Sequence, residues 1–167
     1  MSSSVSVYSY AHSVTYVAGQ MLRSLKIIIL GVGLDPEKLT EDWDVLERGL
    51  KAWLDSKHLE RVRLEVYNPR TDEFVGGWDF TIDYGYGTDE GEMWADTQQI
   101  RSTIIKCGTY PSLCEYRIVV TNKPGRPDVA GWSKTTFRST DGFVFQSIGT
   151  AVGSHSIGAE SGYWRKK

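Results

Sequence analysis

Apolar residues recur at three- and four-residue steps from Val14 to Val32: Val14, Val17, Met21, Leu22, Leu25, Ile28, Ile29 and Val32. This is the stripe of a helix that buries one side. Ser13 or Thr15 is expected to cap its start, and Gly31 with Gly33 to end it. Before it, Val5 and Val7 alternate with serines, a pattern open to an edge strand or a mobile terminus. The stretch "DPEKLTEDWDVLERGLKAWLDSKH" predicts a single second helix with Asp35 at its N-cap and Pro36 in its first turn. Its stripe is Leu39, Trp43, Leu46, Leu50, Trp53 and Leu54. Gly49 interrupts that stripe at a cost of about 1 kcal/mol relative to alanine, which points to close packing at that turn.

The period then switches to two. In "RVRLEVYN", Val62, Leu64 and Val66 share one face, with Arg63, Glu65 and Tyr67 on the other. "NPRTDE" turns the chain, and "FVGGWDFTIDYGY" returns with Trp78, Phe80, Ile82 and Tyr84 aligned, so a hairpin with one buried face is expected. Gly76 and Gly77 mark a bulge. "MWADTQQIRSTIIKCG" predicts a third helix using Trp94, Thr97, Arg101, Ile104 and Ile105, with Ile100 beside them, and "EYRIVVT" a third strand. A right-handed crossover carries that strand past the first, to pair on its far side. The expected class is α+β: a three-stranded, mainly antiparallel sheet, Val62 to Tyr67 in its middle, backed by three helices.

Asn122 to Lys167 carries no strong helix pattern. Short strand candidates occur at "KTTFR", "GFVFQSI" and "GYWRK", separated by glycines and polar turns. "TNKPGRPDVAGWSKTTFRSTDGF" holds two prolines and three glycines, yet also Trp132, Phe137 and Phe143, which are costly to leave in water. A three-stranded sheet has two free edges, and such edges invite strand addition. This tail fits along one of them.

Composition narrows the function classes. A formal charge of -2 and pI near 5.9 give no global attraction to nucleic acid or anionic membrane. Lys123, Arg126, Lys134 and Arg138, interleaved with Trp132 and Phe137, are a weak nucleic-acid signal. "MSSSVSVYSY" has neither the basic nor the apolar region of a signal peptide, so a cytoplasmic location is expected. Cys107 and Cys114 have no histidine near them and read as bystander thiols. His12, His58 and His155 lack metal-ligand spacing, and "GVG" at Gly31 follows a helix, not a strand, so no dinucleotide loop is indicated. Asp79, Asp83, Asp89, Glu90, Glu92 and Asp96 are the one acidic group that would suit a divalent cation for hydrolysis. No Asp-x-Asp-x-Asp-Gly spacing supports that reading, and a solvated strand face, an acidic loop and the start of a helix account for the group more simply.

Taken in order, "YSYAHSVTYVAGQMLRSLKIIILGVGLDPEKL", "DWDVLERGLKAWL", "LEVYNPRTDEFVGGWDFTIDYGY", "KPGRPDVAGWSKTTFRSTDGFVFQSIGT" and "GYWRKK" resemble a bacterial HORMA-domain protein. The resemblance is to the group in cyclic-oligonucleotide-based anti-phage signalling operons (CBASS). It implies no catalysis and no cofactor. It implies one HORMA domain over 1–167, with an N-terminal segment (1–12), a core (13–121) and a mobile C-terminal safety belt (122–167). The implied partners are a closure-motif peptide, for which another HORMA protein of the operon is a candidate source, a cGAS-like nucleotidyltransferase and an AAA+ ATPase remodeller.

Carried onto this chain, Tyr116, Arg117, Ile118, Val119, Val120 and Thr121 form the peptide-binding edge. Thr121 to Phe143 is the hinge and first part of the safety belt; Lys123, Pro124, Gly125, Arg126 and Pro127 belong to it, with the prolines barring a helix and denying two ladder donors. Trp132, Phe137 and Phe143 lock the belt, and Tyr163 and Trp164 secure its last strand along the Phe74 to Tyr84 edge. Ser2, Ser3, Ser4 and Val5 are where the ATPase would engage. The residues by themselves, without the resemblance, favour a plain α+β domain with a permanently docked tail.

Overall fold

The computed structural model describes residues 10–85, 93–154 and 156–167. Its axis is α1 (Tyr10–Gly31), on which Val17, Met21, Leu22, Leu25, Ile28 and Ile29 are fully buried. Each such side chain contributes about 1.5–3 kcal/mol relative to exposure, so six on one face organise the core. The helix already includes Tyr10, ahead of both expected caps. Ser13 lies inside it, buried, and its hydroxyl has no partner among the described residues.

The second helical stretch is two helices, α2 (Glu37–Glu41) and α3 (Trp43–Asp55), meeting at Asp42. The apolar spacing runs through this break unchanged, so the sequence pattern does not show it. A tertiary contact accompanies it: the Tyr116 hydroxyl donates to Asp35 O at 2.6 Å and accepts from Leu39 N at 3.3 Å, tying α2 to a strand rather than to α3. Along α3, Leu46, Leu50, Trp53 and Leu54 are buried, while Trp43 is only half-buried.

Strands β1 (Leu59–Tyr67) and β2 (Phe74–Asp83) form the expected hairpin. The register slips where Val66 faces Gly76 and Tyr67 faces Phe74, which leaves Val75 as the extra residue. Gly77 is required there, since a Cβ would run into the Leu64 carbonyl. A short strand, β3 (Trp94–Ala95), precedes α4 (Thr97–Cys107), so Trp94 is not part of the helix. Asp96 caps α4, its carboxylate accepting from Gln99 N at 2.9 Å. Asp96→Ala is expected to cost about 1 kcal/mol, read as a lower urea midpoint. The stripe of α4 is also rotated from expectation: Ile100, Thr103 and Ile104 are buried, whereas Ile105 is 83% exposed.

After β4 (Glu115–Asn122), the chain wraps round and returns as β5 (Phe143–Gly153) and β6 (Gly158–Lys166). Among the described residues the sheet is therefore six-stranded rather than three, in the order β3-β5-β6-β2-β1-β4, with antiparallel pairing throughout. The expected trio survives within it as β2-β1-β4. Most of the extra width comes from the tail, whose hairpin adds to the β2 edge, and the two-residue β3 extends it beyond β5. Of its strand candidates, "GFVFQSI" and "GYWRK" lie in strands and "KTTFR" does not.

One consequence alters the reading of β1. Val62, Leu64 and Val66 face the helices as expected, but Arg63 and Glu65 on the opposite face are also buried, at 4% and 0% exposure. The tail covers that face. Among the described residues no helix is long and apolar enough to cross a membrane.

Candidate functional site

Beyond β4, residues 123–142 run round the free edge of that strand, from the helical layer to the opposite face of the sheet. Lys123 N donates to His58 O at 2.7 Å. The Arg126 guanidinium lies 4.9 Å from the Trp53 ring, and Trp53 Nε1 donates to Pro127 O at 2.7 Å. Gly131, at φ +91°, turns the chain, a conformation that costs a side chain-bearing residue about 1–3 kcal/mol. Trp132 then lies over α3, donating from Nε1 to Val45 O at 2.9 Å and meeting Trp53 edge-on at 4.9 Å. The room for its indole is the missing side chain of Gly49: a Cβ there would overlap the Trp132 ring.

On the far face the fastening is electrostatic. Glu65 accepts from Arg117 Nε at 2.7 Å and from the Arg138 backbone N at 2.9 Å, and the Arg138 guanidinium also binds it. Arg138 reaches on to Asp72 and lies 3.6 Å from the centre of the Tyr67 ring. Arg117 in turn donates to Thr135 Oγ1 at 2.8 Å and Thr136 O at 2.6 Å. Burial by itself would raise the Glu65 carboxyl, but the Arg117 and Arg138 hydrogen bonds outweigh it and hold it below the usual carboxylate range. Arg138 responds in the matching sense: burial would lower it, while Asp72 and Glu65 hold it above the ordinary arginine value.

Beside this lies a second charged pair. Asp79 accepts two bonds from Arg63, at 2.8 and 3.0 Å, and the guanidinium sits 4.0 Å from the Phe137 ring and 5.0 Å from Trp164. A buried guanidinium retained between a carboxylate and two ring faces is satisfied in charge and in packing. Phe143 meets Phe74 edge-on at 4.9 Å, and Trp78 and Tyr163 face each other at 5.6 Å. Tyr163 and Trp164 lie in β6, opposite Trp78 and Gly77 of β2.

Between the 123–142 segment and the outer edge of β4 is a cavity of about 870 Å³. Its walls are β4 from Tyr116 to Val120, the helical residues Leu39, Leu46 and Trp53, and the segment from Gly131 to Thr136. Asn122 also lines it, and the buried Asn122 Oδ1 has no partner among the described residues. Among the described residues β4 ends the sheet, and its outward backbone groups carry no strand partner. The cavity thus offers an unpaired strand edge, an apolar wall and a closed outer side.

Of the residues singled out from sequence, Tyr116 to Val120 share the cavity wall with Lys123, Pro124, Gly125, Arg126 and Trp132. Thr121 stands beside Lys123 and Phe137 at a smaller neighbouring cleft of about 390 Å³. Pro127 is bound to Trp53, and Phe143, Tyr163 and Trp164 belong to the tail hairpin. Ser2, Ser3, Ser4 and Val5 lie outside the described residues, as do Asp89, Glu90, Glu92 and His155. The acidic-cluster reading meets a concrete obstacle, because Asp79 is committed to Arg63 and Asp83 accepts from Gly85 N at 2.8 Å. Sequence reasoning missed the roles of Arg63, Glu65 and Arg138 as fasteners. The facing pair Arg63 and Asp79 is a signal that strand register carries; the Glu65–Arg138 pair spans 73 residues and leaves none.

Comparison with known structures places this fold. A chain of a mitotic checkpoint complex is 13% identical, with a TM-score of 0.77 over 97% of this chain and 99% of that one. C. elegans HTP-1, solved bound to the HIM-3 closure motif, is 12% identical, with a TM-score of 0.74 over 95% and 92%. A chain of the CdnC:HORMA-deltaN complex of E. coli MS115-1 is 12% identical, with a TM-score of 0.64 over 99% and 94%. At these identities the likeness is one of fold. No curated protein matches the sequence. The family of bacterial HORMA domain 2 matches residues 2–167, and the chain belongs to it.

Proposed function

We propose that this protein is a peptide-binding conformational switch of a CBASS anti-phage system. A single HORMA domain divides into an N-terminal segment (1–12), a core (13–121) and a safety belt (122–167). The belt closes over an extended closure motif laid along β4, and the closed state binds and activates a cGAS-like nucleotidyltransferase. An AAA+ ATPase engaging Ser2 to Val5 reopens it. The observation that carries this reading is the cavity between an unpaired strand edge and the segment that encircles it. Strand addition would supply main-chain hydrogen bonds and register, with alternate side chains entering the apolar wall. The HTP-1 structure holds a closure motif and the E. coli complex pairs a HORMA protein with CdnC, which supports both halves of the proposal.

The test is limited proteolysis of residues 121–143, with and without a binding peptide, alongside product formation by the partner nucleotidyltransferase. Protection on binding, together with raised nucleotide synthesis, is expected. A segment equally resistant in both states, with no effect on the enzyme, would instead describe a fixed adaptor, for which the buried Glu65 fastening would serve as a permanent bond.

A further inference from the structure

We infer that the β4 channel selects an acidic closure peptide: an extended segment with apolar residues at alternate positions and carboxylates flanking them. The inference rests on the peptide-binding reading above. Alternation follows from register. Tyr116, Ile118 and Val120 pair with Val66, Leu64 and Val62, so they share the helix-facing side of the sheet, while Arg117, Val119 and Thr121 take the other. A strand added to β4 continues that alternation. Its helix-facing side chains meet Leu39, Leu46, Trp53, Ile118 and Val120, an apolar surface. The opposite side chains meet Arg117, Thr135 and Thr136.

The charge follows from counting what is neutralised. Five cations and one carboxylate line the channel in a chain of net charge -2. Arg117 is paired with Glu65, and Lys38 with Asp42 at 3.6 Å, the sole carboxylate of the lining. Among the described residues Lys123, Arg126 and Lys134 remain, with only the fully exposed Asp128 near Arg126, at 3.5 Å, while Lys123 lies 5.4 Å from the centre of the Tyr84 ring. They are not clustered. Lys123 and Arg126 follow the end of β4, whereas Lys134 adjoins Thr135, which Arg117 holds near the start of the strand. From Arg117 to Lys123 an extended chain covers about 20 Å, so roughly six ligand residues lie between two cationic ends. The buried Asn122 Oδ1 adds an acceptor for a ligand N–H. A phosphodiester strand would satisfy the cations but not the paired donors and acceptors of a strand edge. The two indoles of the described lining, Trp53 and Trp132, are packed against each other rather than presented for stacking.

A displayed library of random twelve-residue peptides selected on the full chain tests this, with synthetic peptides from the enriched sequences measured by fluorescence polarisation. Enrichment of alternating apolar residues flanked by Asp or Glu is expected. Binding of these peptides should weaken about fivefold or more for Lys134→Glu and again for Lys123→Glu. It should also weaken as salt rises, with circular dichroism showing both variants folded. Peptides that bind the channel but are neutral or basic, or that ignore both substitutions, overturn the acidic inference and leave peptide binding intact. Displacement by an oligothymidylate at comparable concentration overturns it in favour of nucleic acid. If no peptide is enriched, the peptide-binding reading fails and this inference with it.

Discussion

Replacing Glu65 with alanine is expected to cost about 3–5 kcal/mol, the range for removing one partner of a buried ion pair. The carboxylate is fully buried and is shared by Arg117 and Arg138, so its loss removes the buried acceptor of both guanidinium groups and unpairs the Arg138 backbone N–H, while Arg138 keeps Asp72 and Arg117 keeps Thr135 and Thr136. Both arginines keep some contact with solvent, which favours the lower end. Glu65→Gln keeps an acceptor and should cost about half as much. Hydrogen exchange resolved by segment is the appropriate readout. Residues 134–140 should lose protection before α1, because Glu65 binds the tail directly and touches the helical core only through β1. Equal loss throughout would mean that this carboxylate supports the domain as a whole rather than its belt.

The same group sets a pH dependence. Its folded-state carboxyl lies below the usual value of about 4.3 because the arginine bonds outweigh burial. A depressed carboxyl contributes stability that is fully present above the unfolded value and is lost as pH falls through the folded one. Belt protection in the wild type should therefore hold through neutral pH and drop on acidification below about 4. In Glu65→Gln that acid-dependent step should be reduced.

Much of this arrangement was legible in the sequence, and the illegible part has a physical pattern. The α1 stripe and the β1–β2 hairpin follow from local periodicity, which needs no knowledge of what packs against them. The hidden features are those decided by partners distant along the chain. The break at Asp42 accompanies a hydroxyl 74 residues further on at Tyr116, a position that reads as ordinary strand. Arg63 and Glu65 alternate with aliphatic residues as a solvated face should, and only the tail lying over them makes them interior. Trp132 stands out by its cost in water and Gly49 as a point of close packing, but nothing local pairs this indole with that glycine of α3. The free edge of β4 follows in the same way: it exists because the tail hairpin takes the opposite edge.

Gly49→Ala should separate the helix from the belt, because the substitution acts on them with opposite sign. Within α3 an alanine stabilises by about 1 kcal/mol relative to glycine. In the closed arrangement its Cβ overlaps the Trp132 indole, which cannot swing aside and still donate to Val45 O while packed edge-on against Trp53. Displacing the ring gives up a hydrogen bond of about 1 kcal/mol, an aromatic contact of about 0.5–1.5 kcal/mol and part of the ring's burial. Together these come to roughly 2–4 kcal/mol against the belt. The Trp132 indole N–H should then exchange freely, and cleavage between Asn122 and Phe143 should accelerate, while protection along α1 and α3 is retained or rises. A variant in which both regions weaken together would show that Trp132 is inseparable core. One that keeps the indole N–H protected would show that α3 can shift to admit the methyl group. Only selective release fits a belt held by an anchor that can let go.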